Sequence, residues 1–371
     1  MTMFDRRFLE HFDWWLFLAI LLLMAIGFVN LNSGSAATGY PFQWKQLQWY
    51  IAGTVLMLSL VVFFDYRLLT VYSVHIYLIM VFMLILVVFI GKTVGGSQRW
   101  LSLGFMNIQP SELAKIATVI ILSSYFYHDD RPQYGLTDLW RPFLLMLVPI
   151  FLIYHQPDLG TALFLVLIFA SLVYMARLQW TSFLLLLGTA IATFPVVWEF
   201  LKPYQRGRIM DFISPGRDPL GAGYHISQSK IAIGSGQLLG KGYMKGSQAH
   251  LNFLPEVHTD FAFSIWAEEW GWVGAVILLG IFFLMLYRGF LIASQSKERF
   301  GAFLAFGVTA MLFWQVVINI GMVMGLMPVV GIPLPLVSYG GSSVFTTLIG
   351  AGLLLNVGSR RFMFQKGPRP K

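Results

Sequence analysis

The sequence contains no cysteine, which excludes disulfides, thiol nucleophiles and cysteine metal sites in any compartment. Charge is scarce as well. Only 11% of the 371 residues are Asp, Glu, Lys or Arg, against roughly a quarter in ordinary soluble domains. No Walker-type loop is present, and no polar stretch is long enough to fold as a soluble nucleotide-binding domain, so a nucleotide-linked substrate is not expected. The chain shows no low-complexity tract and no internal repeat, direct or inverted.

What is present is apolar. Hydrophobic residues make up 57% and aromatics 16%, with 12 Trp and a mean hydropathy of +0.71, the composition of an integral membrane protein rich in interfacial rings. The net charge of +8 resides in basic residues scattered singly or in pairs between apolar runs. That spacing suits membrane orientation and speaks against a nucleic-acid partner.

About 20 apolar residues cross a bilayer as a helix. On that ruler the chain is an all-α membrane protein, a single polytopic domain over 1–371, with about ten spans near 14–31, 45–64, 71–91, 111–127, 143–155, 159–176, 181–199, 263–287, 302–327 and 342–358. The first run follows Arg6 and Arg7 and precedes "SGSAATG", a pattern shared with cleaved signal peptides; the many later spans favour a retained helix. Lys and Arg gather on the segments that share a side with both termini, among them Arg6, Arg67, Arg131, Arg288 and Arg360. The short loops of the other side carry only Lys45, Lys92 and Arg99, so both termini are expected in the cytoplasm. The segment 200–262, between the seventh and eighth spans, is then a large extracytoplasmic loop, and its amphipathic stretch near Tyr224 to Ile233 predicts short helices on the membrane surface.

Ionisable groups collect where that loop re-enters the membrane. In "FLPEVHTDFAF", Asp260 follows Glu256 and His258 at the mouth of the eighth span, and it reads either as a helix cap or as a general base at the water–lipid boundary. Glu268 and Glu269 lie deeper, where a carboxylate needs a cationic partner or a polar cavity. "QPSELAKI" opens the fourth span with Glu112 and Lys115 at i and i+3, a pair that inside an apolar helix marks a site or pathway. Just before it, "GGSQRWLSLG" supplies Arg99 and Trp100 as interfacial anchors or headgroup contacts.

Asp158 of "HQPDLGTA" follows a proline at a helix start and reads as a cap. "GIPLPLVSYGGSS" breaks any continuous helix, and its Ser338, Gly340, Gly341 and Ser342 read either as a plain turn or as backbone N–H groups offered to an anion. Loop cations such as Arg206 and Arg208 face lipid phosphate or are simply solvated. Trp314 and Gln315 in the ninth span read as helix–helix hydrogen bonders.

These pieces, in this order, resemble the SEDS family, the shape, elongation, division and sporulation proteins that polymerise peptidoglycan. The likeness runs through nearly the whole chain: "QRWLSLG" with "QPSELAKI", "QPDLGT", "AGYHISQSKIAIGSGQLLGKG", "FLPEVHTDFAF" with "AEEWGWVG", and "PLPLVSYGGSS". The "AGYHISQSKIAIGSGQLLGKG" stretch resembles the rod-shape branch more than the septal, division branch. The resemblance implies a ten-span inverting glycosyltransferase of the bacterial inner membrane, joining lipid II to a growing glycan strand at the outer face during cell elongation. Asp260 would be its essential acidic residue. Trp100, Glu112, Lys115, Asp158 and the serines of "SYGGSS" would line the family's cavity. The implied partners are a class B penicillin-binding transpeptidase and other elongation-complex proteins. No ligand motif demands a cofactor, and a divalent Mg or Mn ion between carboxylate and pyrophosphate stays open. The rival readings are a transporter or flippase of the lipid precursor and a noncatalytic scaffold.

Overall fold

The computed structural model describes residues 11–38, 40–94, 97–102, 104, 107–129, 131–214, 222–247 and 258–360. An apolar backbone with no water to bond must satisfy its own polar groups, and the chain does so with helices. They are α1 (Trp14–Thr38), α2 (Phe42–Phe63), α3 (Leu68–Ile90), α4 (Pro110–His128), α5 (Trp140–His155), α6 (Leu159–Met175), α7 (Trp180–Phe200), α8 (Pro203–Ile213), α9 (Ala222–Ser235), α10 (Ala262–Gln295), α11 (Arg299–Val323) and α12 (Gly341–Arg360). Among the described residues, α1, α2, α3, α5 with its preceding 3₁₀ turn, α10, α11 and α12 are long and apolar enough to cross a membrane; α6 and α7 are shorter apolar helices. The long loop holds α8 and α9 among the described residues, and α9 covers the amphipathic stretch near Tyr224 to Ile233 where short helices were expected.

The bundle is built around α4. Pro110 occupies its first turn, where a missing N–H costs nothing, and every later side chain except Leu113, Tyr125, Tyr127 and His128 is buried. It packs against α3, α5, α6, α11 and α12, while α1 lies along α2 and α10. By contrast α7 is exposed along nearly all its length, the surface of a helix that meets lipid rather than protein.

Between α3 and α4 the chain forms a small antiparallel sheet that the apolar-run ruler missed, β1 (Lys92–Val94), β2 (Ser97–Ser102) and β3 (Asn107–Ile108), in the order β1-β2-β3. Thr93 pairs with Gln98 and Leu101 with Ile108. Arg99 of this sheet reaches Asp158 at the start of α6.

The end of the bundle away from Asp260 is closed by ion pairs between connections: Arg67 with Glu298 at 2.6 Å, Arg288 with Asp13 at 2.7 Å and Arg360 with Asp65 at 3.4 Å. Tyr66 donates to the same Glu298 at 2.9 Å, and burial, with that carboxylate beside it, pushes its phenol up to about 12.

Candidate active site

Helix α10 is broken nine residues after it begins. Gly271 (φ 62, ψ −159) interrupts it, and the strip Gln237–Gly242 fills the gap by pairing with the freed backbone. Trp272 N–H donates to the Gln237 carbonyl at 2.8 Å, Val273 N–H to Leu238 at 3.1 Å, Lys241 N–H to Glu268 at 3.0 Å and Gly242 N–H to Glu269 at 3.0 Å. The half-helix before the break, Ala262 to Trp270, is thereby fixed to the outer loop. Its two glutamates hold it further. Glu268 Oε1 accepts from Lys241 Nζ at 2.6 Å, Ser247 N at 2.9 Å and Ser247 Oγ at 3.0 Å, and Glu269 Oε1 accepts from Ser33 Oγ of α1. Glu268 therefore has the cationic partner that the sequence reading called for, while Glu269 has the Ser33 hydroxyl as a partner.

The strip admits only glycine at Gly240. Its φ is +80, and an added Cβ would overlap the Glu269 carbonyl and crowd Trp270 N. Gly242 has φ +98 but open space, with nothing nearer than Lys245 Cδ at 3.5 Å. Gly240→Ala is expected to cost at least ~3 kcal/mol, because strain and overlap add. Gly242→Ala is expected to cost about 1–2 kcal/mol from strain alone. Thermal unfolding midpoints in detergent check the ranking, and equal shifts would mean that the strip is not seated on α10 as described.

Asp260 sits in the turn His258–Phe261 at the head of this half-helix. The helix N-cap is Phe261, with no side-chain cap bond, so the capping reading of Asp260 is not what the geometry gives. The turn is held through its backbone. Asn319 Nδ2 of α11 donates to the Asp260 carbonyl at 2.9 Å and to Ile332 at 2.8 Å, Tyr339 N–H donates to His258 O at 2.7 Å, and Asn30 Nδ2 of α1 donates to Ala262 O at 2.9 Å. The His258 ring packs on Phe42 with centroids 4.4 Å apart, and Phe42 in turn meets Tyr339 at 5.0 Å. Burial raises the Tyr339 phenol above its ordinary value, so it stays neutral.

The connection 324–340, between α11 and α12, faces this turn. Gly331 (φ 74) lies so close that a Cβ there would sit 3.4 Å from Asp260 Oδ2. On the other flank of the same connection a Cβ at Gly160, in the first turn of α6, would overlap the Val330 carbonyl. Asp158 caps that helix, accepting from Thr161 N at 3.1 Å and Thr161 Oγ1 at 2.9 Å, as its sequence reading as a cap anticipates. Arg99 reaches Asp158 Oδ2 at 3.7 Å and also donates to the Gln156 and Pro157 carbonyls, which ties β2, with Trp100, to the α5–α6 corner.

The "SYGGSS" turn is more occupied than an open anion cradle. Gln46 of α2 donates from Nε2 to Ser338 O at 3.1 Å, and its Oε1 accepts from Gly340 N at 3.2 Å. Ser338 Oγ accepts from Leu334 N at 2.9 Å, and Ser342 Oγ accepts from Gln109 N at 3.0 Å. Gly340 is thus spent as a donor, and Gly341 packs on Trp49; the first N–H groups of α12 remain orphans of helix geometry. The bond from Gln109 joins the starts of α4 and α12.

Glu112 and Lys115 form a buried pair at 2.7 Å, with Lys115 Nζ 5.2 Å from the Phe164 ring centroid on α6. Arg206 is not aimed at an anion: it donates to Leu201 O at 3.1 Å and Glu199 O at 2.6 Å and meets Glu199 Oε2 at 3.3 Å, closing the end of α7. Arg208 stays exposed on α8. Glu256 lies outside the described residues. Trp314 does bridge helices, to Ser171 Oγ at 3.0 Å, but neither amide atom of the fully buried Gln315 has a protein hydrogen-bond partner. Among the described residues, no three His, Asp or Glu come together as a metal-binding group.

Four helices therefore begin around one connection: α4, α6, α10 and α12, linked by the Gln109–Ser342, Gly160–Val330, Gly331–Asp260 and Tyr339–His258 contacts. Each start presents the positive end of a helix dipole, although Asp158 caps α6 and Pro110 brings no N–H to α4. A half-buried carboxylate amid such ends can take a proton while an anion is received beside it.

A family profile described as a cell cycle protein, FtsW/RodA/SpoVE, matches residues 13–362. Peptidoglycan glycosyltransferase MrdB of Escherichia coli K12 is 43% identical over 297 residues, covering 79% of each chain. Peptidoglycan glycosyltransferase RodA of Treponema pallidum is 34% identical and covers 96% of this chain and 99% of its own. Among solved structures, a chain of a peptidoglycan synthase complex that coordinates polymerization and crosslinking superposes with TM-score 0.82 at 35% identity, over 95% of this chain and 98% of that one. The rod shape determining protein RodA of Thermus thermophilus superposes with TM-score 0.71 at 32% identity, over the same shares. This chain belongs to the FtsW/RodA/SpoVE family of cell cycle proteins, the SEDS family.

Proposed function

We propose that the protein is a peptidoglycan glycosyltransferase of the elongation type, polymerising lipid II at the outer face of the bacterial cytoplasmic membrane. The observation that carries this reading is Asp260, held by its backbone on a fixed half-helix where four helix N-termini meet. In the proposed step the acceptor's GlcNAc 4-hydroxyl attacks C1 of the donor's MurNAc. A new glycosidic bond forms with inversion as the bond to undecaprenyl pyrophosphate breaks. Asp260 takes the hydroxyl proton, and the departing pyrophosphate draws its charge stabilisation from the helix ends and their N–H groups. A divalent ion bound by the pyrophosphate would add Lewis-acid charge, with Asp260 as a carboxylate that could help hold it.

The ten helices α1 to α7 and α10 to α12 would all span, with α4 carried by its burial despite its polar residues, and both termini would lie in the cytoplasm. A class B penicillin-binding transpeptidase would supply crosslinking, in keeping with the similarity to a chain of a synthase complex. The 43% identity to MrdB, against 35% to FtsW relatives, and the likeness to a rod shape determining protein favour the rod-shape role over the septal one.

The test is reconstitution of wild-type protein in liposomes with lipid II, with and without the transpeptidase, read on a glycan-chain gel beside a lipid-translocation assay. Polymer with no translocation is expected. Translocation with no polymer under any condition would replace this reading by a transporter, and neither activity would leave a scaffold.

A further inference from the structure

Two cavities flank the end of α5 on the lipid-facing side of the bundle, apart from Asp260. One, of about 280 Å³, is partly polar and lined by Val88, Thr93, Gln98, His155, Gln156 and Pro157. The other, of about 220 Å³, is wholly apolar and lies between α5 and α6, lined by Leu147, Ile150, Phe151, Tyr154, Leu163 and Val166 among others. They share an edge, the contact between Phe151 of the apolar groove and His155 of the polar pocket, whose rings are 4.3 Å apart. A single amphiphile can place its head in one and its chain in the other.

The polar pocket has a definite chemistry. Gln156 is 2% exposed, and its Nε2 donates to Leu84 O at 3.0 Å, yet its buried Oε1 has no protein partner. A buried amide oxygen left unbonded is costly, so the pocket is built around an acceptor awaiting a donor. His155 Nδ1 lies 3.0 Å from the Phe151 carbonyl, an acceptor, so Nδ1 donates there and Nε2 is the ring nitrogen left for a ligand. Thr93 and Gln98 stand opposite each other across β1 and β2, so their side chains share the sheet face that completes the wall.

The geometry points to a phospholipid site: a headgroup that donates hydrogen bonds, glycerol hydroxyl or ethanolamine ammonium, held by Gln156 and His155, with an acyl chain in the α5–α6 groove. The site is independent of the proposed glycosyl transfer. It borders the Arg99–Gln156–Asp158 corner, so a bound lipid would brace the connection that reaches Asp260 through Gly160 and Val330.

The test is native mass spectrometry of the purified full chain titrated with phosphatidylglycerol, phosphatidylethanolamine or phosphatidylcholine, whose headgroup has no donor. One retained lipid is expected with the first two, about tenfold weaker with the third. Gln98→Leu with Thr93→Val should weaken retention of the donor lipids about five- to tenfold and erase their advantage over phosphatidylcholine. Leu163→Trp, at a half-exposed groove position, should weaken all three lipids, and Leu187→Trp on α7 should change nothing. Melting curves of the variants exclude misfolding. Equal binding of phosphatidylcholine, unaltered retention in both variants, or displacement of the lipid by a polyprenyl phosphate would each overturn the assignment, the last by making the site part of a substrate path.

Discussion

Asp260→Asn is expected to slow glycan polymerisation by about 10²–10⁴-fold, the usual contribution of a positioned general base, while the protein still folds. The substitution keeps size and shape. The Asn319, Tyr339 and Asn30 bonds that hold the turn all reach backbone carbonyls, so none depends on the Asp260 carboxylate. Helix α10 is not expected to fray either, because its N-cap residue is Phe261 and not Asp260. A melting temperature within a few degrees of wild type, with polymer absent, is therefore the outcome that fits a base. Polymerisation at the wild-type rate would sink the assignment, and loss of both fold and activity would return Asp260 to a structural part.

Much of this arrangement is legible in the residues. Helices are legible because a membrane tolerates few backbone solutions: each of the ten apolar runs holds a helix, with ends within eight residues of those expected, and seven of these helices are long and apolar enough to cross a membrane. The pair Glu112–Lys115 is legible because i and i+3 share a helix face. The supports of the site are not. Asn30, Gln46 and Asn319 look like ordinary polar residues in apolar runs, and each acts on a backbone more than 200 residues away or across a connection with no periodicity. The one signal available was their position: an amide inside a span needs a partner, and a broken connection is where spare backbone groups are found. The "SGSAATG" run shows the same limit. Its small and polar residues look like a cleavage site, whereas Ser33 and Gly34 of α1 are the surface on which Glu269 and His258 rest. The small sheet was invisible to a ruler tuned to 20-residue runs, and "GKTV" with "SQRWLS" carries only weak alternation.

Removing one member of the buried pair is expected to have the largest effect on stability. Lys115 is 2% exposed and Glu112 4%, so Glu112→Gln leaves an ammonium among apolar side chains without its counter-charge, at a cost of about 3–5 kcal/mol. Lys115→Met strands the carboxylate at a similar cost, made worse because Glu112 Oε2 has no protein partner even in the intact pair. The double substitution Glu112→Gln with Lys115→Met removes both desolvation penalties together and is expected to recover most of the loss, since a buried pair adds little net stability over neutral groups of like volume. A double-mutant cycle on thermal or denaturant unfolding in detergent measures this. The same four proteins decide what the pair is for. Lys115 Nζ is occupied by Glu112 and lies over Phe164, which braces α4 against α6 close to the Asp158 cap and leaves little of the charge for a ligand. Polymerisation should then follow stability, falling in the single variants and returning in the double one. A double variant as stable as wild type but unable to form polymer would overturn that reading and put the ammonium in contact with the departing pyrophosphate.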